Sequence, residues 1–371
     1  MNRRHYFPSA WCALSAFCAL LLVDPALLRA QAPTQAGRLA RARADQKAGR
    51  FADALAALQA PPGVSPADAK ALHLAAADIQ YTWAQSLEKG SPDEALPHYQ
   101  AALDTDRTLR PAGMADDLAR MGAAYATLRR YGEALDADQQ ARTDYKRAGD
   151  RYGEAEMLND MGVICRSLRR PGKAVVFSLQ ALPLVRQSGD KNAEASALDN
   201  LGSAYHDLDQ PGKAAGFFQR AAALHRQAGD RGGQAKALTN LGTAFRSLNR
   251  YGRAADSYRQ ALTLFQQTGD KGGQAAALDG LGVASNGLRQ PGKAVVFLQR
   301  ALALHRQAGD EDAEARTLIE LGTADEGVGD FGKAFDCFQQ ALPLFRKVGD
   351  DEGATEALGD MNTAEKNIRT R

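Results

Sequence analysis

Residues 191–230 read KNAEASALDNLGSAYHDLDQPGKAAGFFQRAAALHRQAGD. Apolar side chains fall at Ala197, Leu198, Leu201, Ala204, Tyr205 and Leu208. Steps of three and four put them on one face of a helix over Ala193 to Asp207. Asp209-Gln210-Pro211-Gly212 then turns the chain. Proline suits the first turn of a helix, where its missing N–H needs no partner. A second helix is predicted from Pro211 to Ala228, with Ala214, Phe217, Phe218, Ala221 and Leu224 facing inward. Gly229 suits the left-handed position that ends a helix. Asp230 offers an acceptor to the free N–H groups of the next helix and favours its positive end.

The same forty residues recur outward from this stretch. Gly-Asp stands at 149–150, 189–190, 229–230, 269–270, 309–310 and 349–350. Leu-Gly or Met-Gly stands at 121–122, 161–162, 201–202, 241–242, 281–282 and 321–322. A Pro, Tyr or Phe followed by Gly opens each second helix, at 131, 171, 211, 251, 291 and 331. Six periods without an insertion make a repeat array, which grows by stacking rather than by enlarging one core. Alanine forms two columns, one at 134, 174, 214, 254, 294 and 334 and another at 141, 181, 221, 261, 301 and 341. Such residues permit close helix approach, and Gly202 is expected to face Ala214 and Ala221. Some positions depart from the pattern. Cys165, Ser285 and Asp325 replace the aromatic of the first helix, and Asp138 and Ser178 replace the large apolar residue of the second. Pro183 and Pro343 are expected to be tolerated as kinks near the outer ends of second helices.

Leu198, Leu201, Gly202, Tyr205, Ala214, Phe218 and Ala221 resemble the tetratricopeptide pattern, with its terminal proline replaced and its period lengthened. The phrases Gln180-Ala181-Leu182-Pro183-Leu184 and Gly189-Asp190 further resemble the arrays that precede CHAT-type peptidase domains in bacterial proteins. The resemblance implies an all-α fold, a right-handed superhelical α-solenoid of antiparallel helix pairs. Residues 112–350 carry the six regular repeats. Residues 31–111 are expected to hold degenerate repeats, whose second helices contain Phe51-Ala52-Asp53-Ala54-Leu55 and Asp93-Glu94-Ala95-Leu96. Residues 351–371 are expected to form a capping helix from Glu352 to about Asn367, with the last four residues fraying.

Residues 1–30 are expected to be a signal peptide. Arg3 and Arg4 precede the apolar run Trp11 to Val23, and Asp24-Pro25 ends it before small residues at Ala30 and Ala32. Its 13 residues are too few to span a bilayer, which takes about 20. Cleavage after Ala30 is favoured over Ala32, where Pro33 would adjoin the cut; a signal anchor is the alternative. Cys12 and Cys18 follow Trp11 and Phe17 rather than small residues, so lipidation is not expected. The expected location is periplasmic or secreted, without stable membrane insertion of the mature chain. The whole chain carries a net charge of +2, and the chain after residue 30 has 43 basic and 43 acidic side chains. That balance gives no electrostatic footprint for nucleic acid.

Function is expected on the face of the first helices, where a protein or peptide partner would lie. The candidate groove residues are Asn159, Arg166, Asp199, Asn200, Ser203, His206, Asn240, Thr243, Arg246 and Asn286. Asparagine both donates and accepts, so it pairs with peptide backbone of any sequence. Arg166 and Arg246 have the fork that grips a carboxylate. A merely solvated helix face would carry the same residue types. No catalytic, cofactor or metal site is expected. His225 and His305 recur by duplication, and Cys165 and Cys337 occupy apolar positions as free thiols. Gly-Gly at 232–233 and 272–273 follows no strand and so makes no phosphate loop. Self-association of stacked ends is a further expectation.

Overall fold

The computed structural model describes residues 34–60 and 64–370. The expected signal peptide, its cleavage sites, Cys12 and Cys18 lie outside the described residues. Seventeen α-helices and one 3-10 turn make up the described chain. Two compact units divide the described residues, one up to residue 148 and the other from residue 149.

The first unit holds α1 (Gln35–Lys47), α2 (Phe51–Ala57), α3 (Pro66–Leu87), α4 (Pro92–Leu109), a 3-10 turn (Pro111–Gly113), α5 (Met114–Thr127) and α6 (Tyr131–Ala148). The second holds α7 (Arg151–Ser167), α8 (Pro171–Ser188), α9 (Lys191–Asp207), α10 (Pro211–Ala228), α11 (Arg231–Ser247) and α12 (Tyr251–Thr268). It continues with α13 (Lys271–Gly287), α14 (Pro291–Ala308), α15 (Glu311–Val328), α16 (Phe331–Val348) and α17 (Asp351–Arg369). Within each unit consecutive helices pack in antiparallel pairs. In the second unit each odd helix also touches the next odd one, so the odd helices share a continuous face.

The Gly-Asp junctions do what the sequence implies. Gly149, Gly189, Gly229, Gly269, Gly309 and Gly349 all have φ between +69° and +79°. The following aspartates accept the free N–H three residues on, as from Gly233 and Gly273 to Asp230 and Asp270 at 2.8 Å. The first helix of the quoted repeat starts two residues before the expected Ala193, because Asp190 caps it from outside; its second helix runs from Pro211 to Ala228 as expected. The turn inside five of the six regular hairpins has a feature the sequence did not reveal; the sixth uses Gly329. Arg129, Arg169, Asp209, Asn249 and Arg289 adopt φ of +55° to +58°. There the next N–H reaches back five residues, as from Gln210 to the Tyr205 carbonyl at 2.9 Å, and satisfies an end carbonyl.

Both alanine columns are fully buried. Gly202 also has a nearer neighbour than the expected Ala214 and Ala221, although at the equivalent Gly122 and Gly162 the Ala134 and Ala174 carbonyls do lie beside the glycine. The atoms nearest a Cβ built there all belong to the Phe218 ring, at 2.8–3.1 Å. The pairing repeats with a 16-residue offset: Gly242 meets Tyr258, Gly282 meets Leu298 and Gly322 meets Phe338. Glycine is required because a large side chain of the second helix lies against the backbone of the first. In the first two repeats that side chain is polar: Asp138 still lies hard against Gly122, and only at Gly162, opposite Ser178, is there ordinary contact distance.

Helices α8 and α16 run unbroken through Pro183 and Pro343, both exposed, and α4 runs likewise through Pro97. The last helix starts at Asp351 and continues to Arg369, past the expected end near Asn367, with Arg369 paired to Glu365 one turn back. Cys165 and Cys337 are buried free thiols. Burial raises both, Cys337 to about 12, so neither holds a ready thiolate.

Candidate functional site

The odd-helix face of the second unit repeats in register every 40 residues, and two rows of it decide its chemistry. One row is Arg166, His206, Arg246, Asn286 and Glu326. Each reaches forward to the residue 41 positions on, where that residue can answer. Arg166 Nε donates to Asp207 at 2.6 Å, and His206 Nε2 lies 3.0 Å from Ser247 Oγ. For Arg246 the answering position is Gly287, which is held small because a Cβ there would sit 2.4 Å from the Tyr251 ring. Arg246 therefore stays exposed and approaches the Tyr258 hydroxyl instead. Of the two arginines expected to hold a carboxylate, Arg166 is thus already occupied and Arg246 is open.

The second row is Asn159, Asp199, Thr239 and Asp279. The Asp199 carboxylate lies 3.4 Å from His225 Nε2, and burial raises its pKa against that histidine's pull. Asp279 takes 2.8 Å and 2.9 Å contacts from His305 Nε2 and the Thr317 hydroxyl. The hydrogen bond to Asp279 raises the His305 pKa, which keeps the pair charged to higher pH. Histidine recurs here as a buried partner that fixes an aspartate from behind. Asn159 Oδ1, Asp199 Oδ1 and Asn286 Nδ2 are buried atoms with no hydrogen-bond partner. Desolvation first, and the Glu156 charge second, push the Asp160 carboxyl up to about 6.

A cavity of about 340 Å³ opens on this face across α11, α13 and α15. Ala276, Gly280, Val283, Ala313 and the Tyr258 ring line its floor, and Thr239, Thr243, Arg246, Asp279, Arg316, Thr317 and Glu320 its rim. Small residues make it: in register with Gly280 stand Asn200, Asn240 and Glu320. Gly280 also admits Tyr258, whose ring would lie 2.5 Å from a Cβ at that position. The Tyr258 hydroxyl reaches Thr243 Oγ1 at 3.0 Å.

Of the expected site residues, Thr243 and Arg246 line this cavity. Asn200, Ser203, His206 and Asn240 are half-buried on the same face but outside it, as are Asn159, Asp199 and Asn286. Arg166 lines a separate cavity of about 470 Å³ with Asp207 and Arg169. Sequence reasoning passed over Arg316 and Thr317, and left Thr239, Asp279 and Glu320 as ordinary polar positions. Among the described residues no three His, Cys, Asp or Glu side chains are grouped to hold a metal, and no helix is long and apolar enough to cross a membrane.

The tetratricopeptide repeat family model matches residues 153–227, 193–267 and 273–347, together more than half of the chain. No curated protein sequence gives a match. Several solved structures are similar in fold. A signal-transduction ATPase with a tetratricopeptide repeat sensor, from Pyrococcus horikoshii, superposes with a TM-score of 0.64 at 15% identity, covering 92% of this chain and 53% of its own. A Rap protein complexed with competence and sporulation factor gives 0.55 at 15% identity, covering 91% and 99%. BtubC from P. vanneervenii gives 0.52 at 22% identity, covering 58% and 91%.

Proposed function

The chain belongs to the tetratricopeptide repeat family, and from that premise we propose that it is a non-catalytic scaffold, exported from the cytoplasm, that holds a protein or peptide partner on its odd-helix face. The cavity across α11, α13 and α15 carries this reading. Three successive repeats contribute to it, its floor is apolar, and its rim presents hydroxyls and charges of both signs. An extended segment laid along the odd helices would meet the half-buried amides of Asn200 and Asn240 on one side and this cavity on the other. The Rap protein of similar fold is seen holding competence and sporulation factor, which supports the class of activity. Export is motivated by the Arg3-Arg4 and Trp11–Val23 layout.

The test is affinity capture from the native host with wild type and with Asn200→Ala/Asn240→Ala/Arg246→Ala. None of the three side chains is buried, so the variant should melt like the wild type. It should lose at least one partner that the wild type retains. An identical partner set would overturn the assignment of the binding face.

The 180–184 and 189–190 phrases favour one second reading, a regulatory module of a CHAT-type peptidase system with catalysis on another chain. Reconstitution with a peptidase encoded beside this gene should then change that peptidase's turnover. An unchanged rate would remove this reading.

A further inference from the structure

Four charged side chains stand on the rim of the cavity across α11, α13 and α15, and they are not equivalent. Asp279 is taken up by His305 and Thr317. Arg316 is taken up by Asp312 at 3.1 Å, with Asp350 at 3.8 Å. Arg246 on α11 and Glu320 on α15 remain, with no ion-pair partner among the described residues. They feel each other's charge without pairing, from opposite walls of the cavity. Between them lies the floor of Gly280, Ala276 and Val283, which offers contact area and no hydrogen-bonding side chain.

We propose that this cavity selects a peptide segment in which an aliphatic residue stands between an acidic and a basic one, the acid on Arg246, the aliphatic side chain on the Gly280 floor and the base on Glu320. The inference rests on the odd-helix face being the binding face, and adds which chemistry it reads. Several observations converge on it. The Arg246 guanidinium, which approaches the Tyr258 hydroxyl, has no carboxylate partner because its answering position is Gly287, and a guanidinium holds a carboxylate in a forked pair. The cavity exists because α13 carries glycine where its neighbours carry amide or acid, and its volume of about 340 Å³ exceeds a single aliphatic side chain, leaving room for the flanking charged residues. Burial raises the Glu320 carboxyl, the Arg246 charge opposes this, and Asp279 and Glu356 add to the rise; a cation arriving beside Glu320 would offset those two acidic neighbours. A wholly acidic segment would meet Glu320, and a wholly basic one Arg246. The order of charges therefore also excludes wrong partners.

The test uses a phage-displayed random heptapeptide library panned against the full chain and against Arg246→Glu and Glu320→Lys. Wild type should enrich Asp or Glu on one side of Leu, Ile, Val or Met, and Lys or Arg on the other. Arg246→Glu should exchange the acidic preference for a basic one, and Glu320→Lys the reverse. A synthetic wild-type consensus peptide should bind Arg246→Glu about tenfold to hundredfold more weakly, with a peptide in which only the acidic residue is replaced by lysine restoring affinity. Arg246→Gln should lose the acidic preference and gain nothing in its place. Far-UV circular dichroism checks that each variant folds; should Glu320→Lys fail, Glu320→Gln, which loses the basic preference, replaces it. Enrichment of peptides without charge order, or a consensus indifferent to both variants, overturns this inference and leaves the binding face standing. Enrichment of nothing overturns the binding face as well.

Discussion

Gly202→Leu should destabilise its hairpin by roughly 1–3 kcal/mol, while Gly162→Ala, at the same repeat position, should stabilise its own by up to about 1 kcal/mol. The opposite signs follow from what stands 16 residues on. A Cβ at Gly202 would come within 2.8 Å of Phe218 Cε1. Phe218 is buried at 2% exposure between α9 and α11, so its ring cannot swing aside without moving another repeat. Leucine adds three more carbons to that clash. At Gly162 the nearest atoms are Ser178 Oγ at 3.5 Å, the Ala174 carbonyl oxygen at 3.6 Å and Phe177 Cβ at 3.9 Å, ordinary contact distances. Alanine there adds contact and removes the entropic cost of glycine within a helix. Repeat arrays can unfold in parts, so denaturant melts of the full chain should be paired with hydrogen exchange of α7–α8 and α9–α10 amides. Equal signs for the two substitutions would refute the 16-residue pairing as the reason for glycine.

That contrast also marks where the sequence stops being readable. Gly-Asp junctions are legible because each residue type has one structural use there: glycine for a positive φ and aspartate for a helix start. The hairpin turns are not, because Arg129, Arg169 and Arg289 occupy the left-handed region with no residue-type signature. Periodicity tells which face of α9 is buried. It does not tell which side chain of α10 comes nearest to Gly202, so Phe218 is expected to face inward but its contact with Gly202 is not anticipated. The odd-helix face was legible from its recurring polar positions. The cavity was not, since absent side chains at Ala276 and Gly280 shape it and a glycine at 287 leaves Arg246 open. Arg166 and Arg246 look alike in sequence; only the residue 41 positions on separates them.

Asp117 is a second position where register, once known, exposes an anomaly with a large consequence. Met157, Ala197, Ala237 and Ala277 stand in register with it, all buried. Asp117 is itself only 2% exposed, and its Oδ2 is a buried oxygen without a hydrogen-bond partner. Nearby on α4, Asp106 pairs with Arg110 at 2.9 Å, and Arg110 also reaches Asp78 of α3 at 2.8 Å. One guanidinium is thus shared by two other carboxylates before Asp117 is counted. Burial first, and the Asp106 charge second, push Asp117 up to about 7, while Arg110 pulls it down and Asp116 and Asp78 add to the rise. The sign follows from proton binding. Between about pH 4 and 7 the folded state holds a proton here that the unfolded chain has released. The associated stability is complete below pH 4 and is lost as pH rises through 7. Asp117→Asn keeps the shape of the protonated acid and can donate to Asp106, so it should match the wild type near pH 4. At pH 8 it should be more stable by about 1–3 kcal/mol, the low end reflecting the helix-start charge it gives up on α5. Urea melts of both proteins from pH 4 to 8 measure the difference directly. Curves that stay parallel across that range would show that Asp117 is ionised throughout, and that Arg110 serves three carboxylates rather than two.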